Sequence, residues 1–350
     1  MQSPNLKNIL DQITKILSPR VRAVIEKRFG LKSEAYQTLE AIGRNQGITR
    51  ERVRQIEALG LKQLANKNIL EPLEPVFAII ENHLKTFGGV RRKDYFLKEL
   101  VNLFSLKDRN RENVMSFVLV LGKKNFSYFK ETPLYHATWA LDANSYNNAV
   151  SLLEALRKKL DQENAPVSKD YIFKTLTVLN KGSDFKSVNN DKALTSYIEL
   201  SSKISQNPFG EWGLVHSPEI SPKGVKDKAY LVFKKEKRPL HFTEVANLIN
   251  KVVFSDREAH PQTVHNELIK DSRFVLVGRG TYALSDWGYE PGTVRDVLVS
   301  LLKNYKNGLT KEKIVEAIQA KRLVKENTIL LNLQNKKVFK KTNDNRFLLS

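Results

Sequence analysis

The sequence predicts a mainly α-helical protein with small β-hairpin wings: an N-terminal helix-turn-helix followed by a tandem array of about four winged-helix units. Three observations predict it. The first 70 residues carry apolar positions at helical spacing, with glycines where turns belong. Blocks then recur along the chain: KDYFLKEL at Lys93 and KDYIFKTL at Lys169 share K-D-Y-x-x-K-x-L. Each group of helical segments is followed by a stretch that alternates apolar and polar residues around a turn such as GRG or NDN.

In SPRVRAVIEKRFGL, Ser18 stands as an N-cap and Pro19 occupies the first helical position. Val21, Val24, Ile25 and Phe29 follow at helical spacing, and Gly30 closes the segment. In TLEAIGRNQGI, Thr38 caps a short helix with Leu39 and Ile42 facing inward, Gly43 near its end and Gly47 in the turn. Thr49 then caps a longer helix with apolar positions at Val53, Ile56, Leu61 and Leu64. A short helix, a glycine-containing turn and a longer helix make a helix-turn-helix, whose second helix enters the DNA major groove with its first residues at base edges.

Those first residues have the chemistry for it. Arg50 and Arg54 suit the guanine edge, Glu51 accepts from cytosine, and Gln55 matches adenine. Thr49, Arg52, Arg44 and Lys62 are placed to hold phosphates. A merely solvated charged helix face is the competing reading. It does not account for caps, turn and base-reading side chains falling together.

The two prolines of EPLEP, 71–75, should break the preceding helix. Beyond them the repeated blocks divide the chain into units. Helices are expected at 76–87, 93–104 and 111–121 with a hairpin over 126–139, then at 148–161, 168–179 and 191–201 with a hairpin over 204–215. The third unit places helices at 226–235, 242–251 and 260–270 and a hairpin at 274–284. The fourth places them at 292–305, 311–319 and 325–332, with a hairpin at 338–348. A second repeat pairs WGLVHSPEISPKGVKD at Trp212 with WGYEPGTVRD at Trp287. The expected domains are 1–70, 76–141, 146–216, 226–289 and 292–350.

Composition narrows the partners. With 58 Lys and Arg against 38 Asp and Glu, the formal charge is +20, which suits a polyanion whose counterions are released on binding. An inert basic surface is the bland alternative. An anionic membrane fits less well, because no helix joins a basic face to bulky exposed aromatics. There is no apolar run of about 18 residues and no signal-like start, so a cytoplasmic, nucleoid-associated protein is expected. The absence of Cys removes disulfides, zinc-thiolate sites and thiol catalysis.

Other candidate sites are weaker. His260, Gln262, Thr263, His265 and Asn266 open the third helix of the third unit and would face a groove, with Arg279 of its wing reaching phosphate. A protein-docking or spacer role competes equally. Lys336, Lys337, Lys340, Lys341 and Arg346 sit on or beside the last hairpin, able to grip backbone or simply be solvated. The six His residues lack metal spacing backed by acids. GRGT at Gly278 reads as a hairpin turn, since no Gly-Lys-Ser/Thr follows. Trp139, Trp212 and Trp287 are expected at hairpin ends, packing wing onto core rather than stacking on single strands. No nucleophile–base pair or carboxylate cluster stands out, so no catalysis, cofactor, metal or small-molecule substrate is expected.

Two resemblances sharpen this reading. LSPRVRAVIEKRFGL, TLEAIG and ITRERVRQIEALGLKQL, 17–64, resemble region four of the sigma-70 family of bacterial promoter-recognition factors. The resemblance implies that the second helix reads a −35-type promoter element through Arg50, Glu51, Arg54 and Gln55, with Arg52 beside them, and that the domain docks on RNA polymerase. Val21 departs from the pattern, which carries an acid there. With 16 residues before the motif and no aromatic-rich melting segment, a sigma factor of the usual layout is not expected. KRPLHFTEVANLINK and HPQTVHNELIKDSRFVLVGRGTYALSDWGY, within 238–289, resemble a HARE-type helix-turn-helix domain, a winged-helix family of transcription, chromatin and restriction contexts. The leading expectation is a sigma-like DNA-binding transcription factor. A polymerase-bound scaffold and the DNA-specificity part of a restriction or repair system are the alternatives.

Overall fold

A computed structural model describes residues 5–350 except 33–34, 164, 181–189, 253, 255–257 and 343. Asn343 of the NDN turn thus lies outside the described residues. The chain forms two compact units, Met1–Ser205 and Gln206–Ser350. Both are dominated by helices joined to small antiparallel sheets.

The first unit opens with a helix that the sequence reading did not single out, α1 (Leu6–Lys15), burying Leu6, Leu10 and Ile13 at helical spacing. Then come α2 (Pro19–Phe29), α3 (Leu39–Gln46) and α4 (Arg50–Leu64). Ser18 is at the N-cap of α2 but makes no side-chain cap bond, leaving Pro19 to start the helix. Thr38 and Thr49 do cap: their hydroxyls accept from the Ala41 N–H at 3.1 Å and the Arg52 N–H at 3.2 Å. Between α3 and α4, Gly47 adopts φ +65°, a left-handed conformation costly for other residues.

The chain breaks from helix earlier than EPLEP suggests. After α4, Asn66 caps a single turn, α5 (Lys67–Leu70), and Glu71–Leu73 form a 3-10 turn. Pro75 sits in the first turn of α6 (Glu74–Thr86), where its missing N–H costs nothing. Strand β1 (Val90–Arg92), α7 (Lys93–Leu103), α8 (Arg111–Leu121), β2 (Ser127–Phe129) and β3 (Thr138–Ala140) follow. The strands make one antiparallel sheet, order β1-β3-β2, with Arg91 and Tyr128 both opposite Trp139. Strand β1, between first and second helices, was not expected. One hydrophobic core runs from Leu6 to Trp139, so the helix-turn-helix and the next helical group are packed together. Phe29 on α2 meets Phe117 on α8 with ring centroids 4.8 Å apart.

Helices α9 (Ala143–Gln162), α10 (Lys169–Asn180) and α11 (Asp191–Leu200) come next, then β4 (Ile204–Gln206) and β5 (Trp212–Leu214). The K-D-Y blocks open α7 and α10, the second helix of each group, as the repeat implies. Helix α11 packs against β1: the Ser196 hydroxyl donates to the Val90 carbonyl at 2.6 Å and Tyr197 to that of Gly88 at 3.0 Å.

The second unit includes β5 and holds α12 (Val225–Glu236), β6 (Leu240–His241), α13 (Phe242–Val252), α14 (Pro261–Lys270), β7 (Phe274–Gly278) and β8 (Thr281–Leu284). It continues with α15 (Val294–Lys303), β9 (Leu309–Thr310), α16 (Lys311–Lys321), α17 (Glu326–Leu333), β10 (Phe339–Lys341) and β11 (Arg346–Leu349). Each six-element group closes a three-stranded sheet with its last strand central, β6-β8-β7 and β10-β11-β9. Each also has its own core, around Phe233 and Tyr282 in one and around Leu298 and Phe339 in the other.

The tryptophan repeat holds only in its second half: Val225, Lys226 and Asp227 open α12 as Val294, Arg295 and Asp296 open α15, but the Trp-Gly pairs are placed differently. Trp212 begins β5, whereas Trp287 lies past β8 in the 3-10 turn Ser285–Trp287. Trp139 lies in β3, the strand that closes its hairpin, one residue from its end. A Trp-Gly pair carries no strand preference strong enough to fix its place; packing does. Trp139 meets Tyr128 at 4.9 Å and Trp287 meets Phe233 at 6.2 Å.

Candidate nucleic-acid interface

Helix α4 is amphipathic along its length. Val53, Ile56, Gly60 and Leu64 are buried at helical spacing, which turns Arg50, Glu51, Arg52, Arg54 and Gln55 to solvent together. Thr49 positions that face, because its cap bond fixes where the helix begins. The free N–H groups and the dipole of the first turn favour an anion there.

The polar residues are already organised among themselves. Arg54 makes two hydrogen bonds to the Glu51 carboxylate, and Arg52 donates to the Gln55 side-chain oxygen at 3.0 Å. The bond from Arg54 is the chief reason the Glu51 carboxyl is held below its ordinary range, and Glu51 in turn raises Arg54. Arg44 on α3 is exposed and paired to Glu40 at 2.6 Å. Lys62 is exposed eight residues after Arg54, about 12 Å further along the helix.

Beside this face lies a cleft of about 590 Å³, bordered by Arg54, Ala58, Leu61 and Lys62 of α4, by Lys67, and across from them by Lys123 and Lys124. Sequence reasoning missed Lys67, Lys123 and Lys124. Nothing local marks them: Lys123 and Lys124 lie some 60 residues after α4 in sequence and reach it only through packing.

Residues 15–66 match the family model for Sigma-70, region 4. Over this region the chain is 44% identical across 63 residues to the RNA polymerase sigma factor SigA of Nostoc sp., which covers 18% of this chain and 16% of that protein. SigA of Microcystis aeruginosa is 47% identical over 64 residues, 18% of this chain and 14% of its own. SigA of Lactococcus lactis subsp. cremoris is 40% identical over 68 residues, 19% of each. The chain therefore spans less than a fifth of these relatives, and the likeness supports a sigma-like DNA-binding region. Residues 224–287 match the HARE-HTH family model, a helix-turn-helix domain named in part for ASXL and restriction endonuclease. That match takes in all of α12, ahead of the blocks that carried the resemblance in sequence.

In that second region the candidates divide. His260 is spent as a cap, its Nδ1 accepting from the Gln262 N–H at 3.3 Å. His265 is half-buried and packs on Phe242 and Tyr282, at 4.6 and 5.9 Å between ring centroids, so its ring serves the core. Gln262, Thr263 and Asn266 stay exposed on α14. Arg279 is exposed in the turn between β7 and β8, where GRGT forms the hairpin. On the last sheet Lys340, Lys341 and Arg346 are exposed, as are Lys336 and Lys337 in the turn before β10, with the Lys341 ammonium 5.9 Å from the Phe347 ring.

The third helices of the first two groups are different. Helix α8 buries Met115, Phe117, Val118, Leu119 and Leu121, and α11 buries Leu194, Ser196, Tyr197 and Ile198. Those faces are used inside the unit. Among the described residues, no group of three or more His, Asp or Glu could hold a metal ion. Among them, too, no helix is long and apolar enough to cross a membrane.

Proposed function

We propose that the chain is a sigma-like transcription factor. It recognises a −35-type promoter element in double-stranded DNA through α4 and acts with RNA polymerase in initiation or its regulation, in the cytoplasm at the nucleoid. The observation that carries this reading is the start of α4, where five polar residues capped by Thr49 share one exposed face in a region matching Sigma-70, region 4. Arg50, Glu51, Arg54 and Gln55 read bases, while Thr49, Arg52, Arg44 and Lys62 hold phosphates. The helix–strand–helix–helix–strand–strand order of three later groups supports reading them as winged helices, with the group at 143–214 a reduced version. No catalytic role is assigned.

Binding to a −35-like duplex against a scrambled one tests the reading, with Arg54→Ala and Gln55→Ala. A base contact predicts a loss of about 1–3 kcal/mol on the matched duplex alone. A loss equal on both duplexes would reject base reading.

A second reading applies to the middle of the chain. Because α8 and α11 bury most of their surface, the groups at 74–140 and 143–214 read no bases through their third helices, leaving α14 and α17 as the open third helices.

A further inference from the structure

The cleft beside α4 has a use that the helix-turn-helix alone does not supply. A helix about 10–12 Å across fills a major groove about 12 Å wide, so sugar-phosphate backbone must pass along both its flanks. Arg54, Ala58 and Leu61 fall at i, i+4 and i+7 and form one flank of α4, and that flank is the near wall of the cleft. The far wall is the turn that ends α8, with Lys123 and Lys124 exposed at its tip.

That turn is held firmly. The Asn125 and Phe126 amides donate to the Gly122 carbonyl at 2.8 and 3.0 Å. Phe126 is buried and meets Phe77 edge-on at 6.1 Å, in the core that also contains α4. At the other end of α8, Asn110 donates to the Gly30 carbonyl at 3.1 Å and Phe117 meets Phe29. The lysines therefore keep a fixed place relative to the reading helix.

Charge completes the case. Arg54, Lys62, Lys67, Lys123 and Lys124 ring the cleft against two acids, Glu57 and Glu74. Glu57 is already paired to Arg28 at 3.2 Å, and Arg54 to Glu51. Among the described residues, none of the four lysines is ion-paired.

We propose that Lys123 and Lys124 hold the phosphates of the duplex strand flanking the groove that α4 reads, so that the group following the helix-turn-helix extends its DNA footprint. This rests on the reading of α4 as a DNA helix. The lysines contact backbone, so they add affinity without sequence preference.

The test uses the full chain with Lys123→Ala/Lys124→Ala, and Lys158→Ala/Lys159→Ala on the exposed face of α9 as a charge-matched control. Affinity is measured against salt on a long duplex and on one truncated at the edge of the groove read by α4. Each phosphate contact contributes about 0.9 to the slope of log affinity against log salt. The cleft variant should flatten that slope by about 1–2 on the long duplex and bind on the order of tenfold more weakly, for matched and scrambled sequences alike. On the truncated duplex it should equal the unaltered chain. An unchanged slope, a loss no larger than the control's, or a loss that persists on the truncated duplex overturns the proposal. So does normal DNA binding with a lost protein partner, which would assign the cleft to an acidic polypeptide. Failure of Arg54→Ala and Gln55→Ala to alter sequence preference would instead count against the reading of α4.

Discussion

Arg54 grips Glu51, three residues earlier on α4, through Nε to Oε2 at 2.9 Å and Nη2 to Oε1 at 2.7 Å. Two of the proposed base readers thus hold each other before any DNA arrives. Both side chains are about 60% exposed, so the pair contributes little to folding. Its consequence falls on recognition, because DNA binding must use or replace the carboxylate that occupies Arg54.

Glu51→Gln should therefore leave the melting temperature nearly unchanged while altering binding. Removing a negative charge from the DNA-facing surface should raise affinity for every duplex. The amide keeps an accepting oxygen but loses its charge and gains an NH2 donor that suits other bases, which should cut discrimination by about 1–3 kcal/mol at one base pair. Competition between matched and singly mismatched duplexes measures both effects; tighter binding with undiminished discrimination would contradict them.

Gly60 sets how closely α4 approaches α2. A Cβ there would lie 2.9 Å from Val21 Cγ1 and 3.0 Å from Ile25 Cγ1. In Gly60→Ala the gain in helix propensity, about 1 kcal/mol, opposes overpacking of about 1–3 kcal/mol. Both neighbours are buried, so crowding should win by on the order of 1 kcal/mol. Denaturant unfolding measures it. A stabilised variant would show that the two helices can separate at little cost.

Arg91 is 7% exposed and bonded to Glu99 and Glu199, with its guanidinium 4.4 Å from the Phe87 ring. Arg91→Ala removes the cation that Glu99 and Glu199 share, and should cost about 3 kcal/mol in the 1–205 unit. Burial pushes the Glu99 carboxyl up, but hydrogen bonds from His83 and Arg91 outweigh it and hold Glu99 below its ordinary range. A depressed carboxyl contributes stability that is complete above the ordinary Glu value and is lost as pH falls through the depressed one. Stability of this unit should thus hold from neutral pH down to the ordinary Glu value of 4.5 and decline below it, and Arg91→Ala should flatten the decline. Urea midpoints across that range decide it.

His265 and Gln262 sit on the same helix with different work. His265→Ala removes a ring packed on Phe242 and Tyr282 and should lower stability by about 1 kcal/mol. Gln262→Ala and Asn266→Ala should leave stability within about 0.5 kcal/mol, as exposed positions do. If α14 touches DNA, those two substitutions, and not His265→Ala, should weaken binding directly. Thermal melts and DNA titrations of the three variants separate the roles.

The helix-turn-helix was legible because its determinants are local. Caps at Thr38 and Thr49, the left-handed Gly47 and the apolar spacing of Val53, Ile56 and Leu64 all act within a few residues. The K-D-Y blocks were legible for the same reason, since each opens a helix of its own. The Trp-Gly half of the second repeat did not fix a common place, and the two-residue strands β6 and β9 went unread, because such short elements are fixed by their sheet partners.

The sequence by itself determined a capped α4 with Arg50, Glu51, Arg54 and Gln55 on one solvent face, and helical groups that end in hairpins. Only the tertiary structure decided which third helices remain open, which histidines are absorbed into packing, and that Lys123 and Lys124 stand beside α4. These outcomes depend on contacts such as Phe29 with Phe117 and Arg91 with Glu199, between residues roughly 90 and 110 positions apart. Helical periodicity shows which face of a helix is apolar, but the partner that buries it is chosen by close packing across the whole unit.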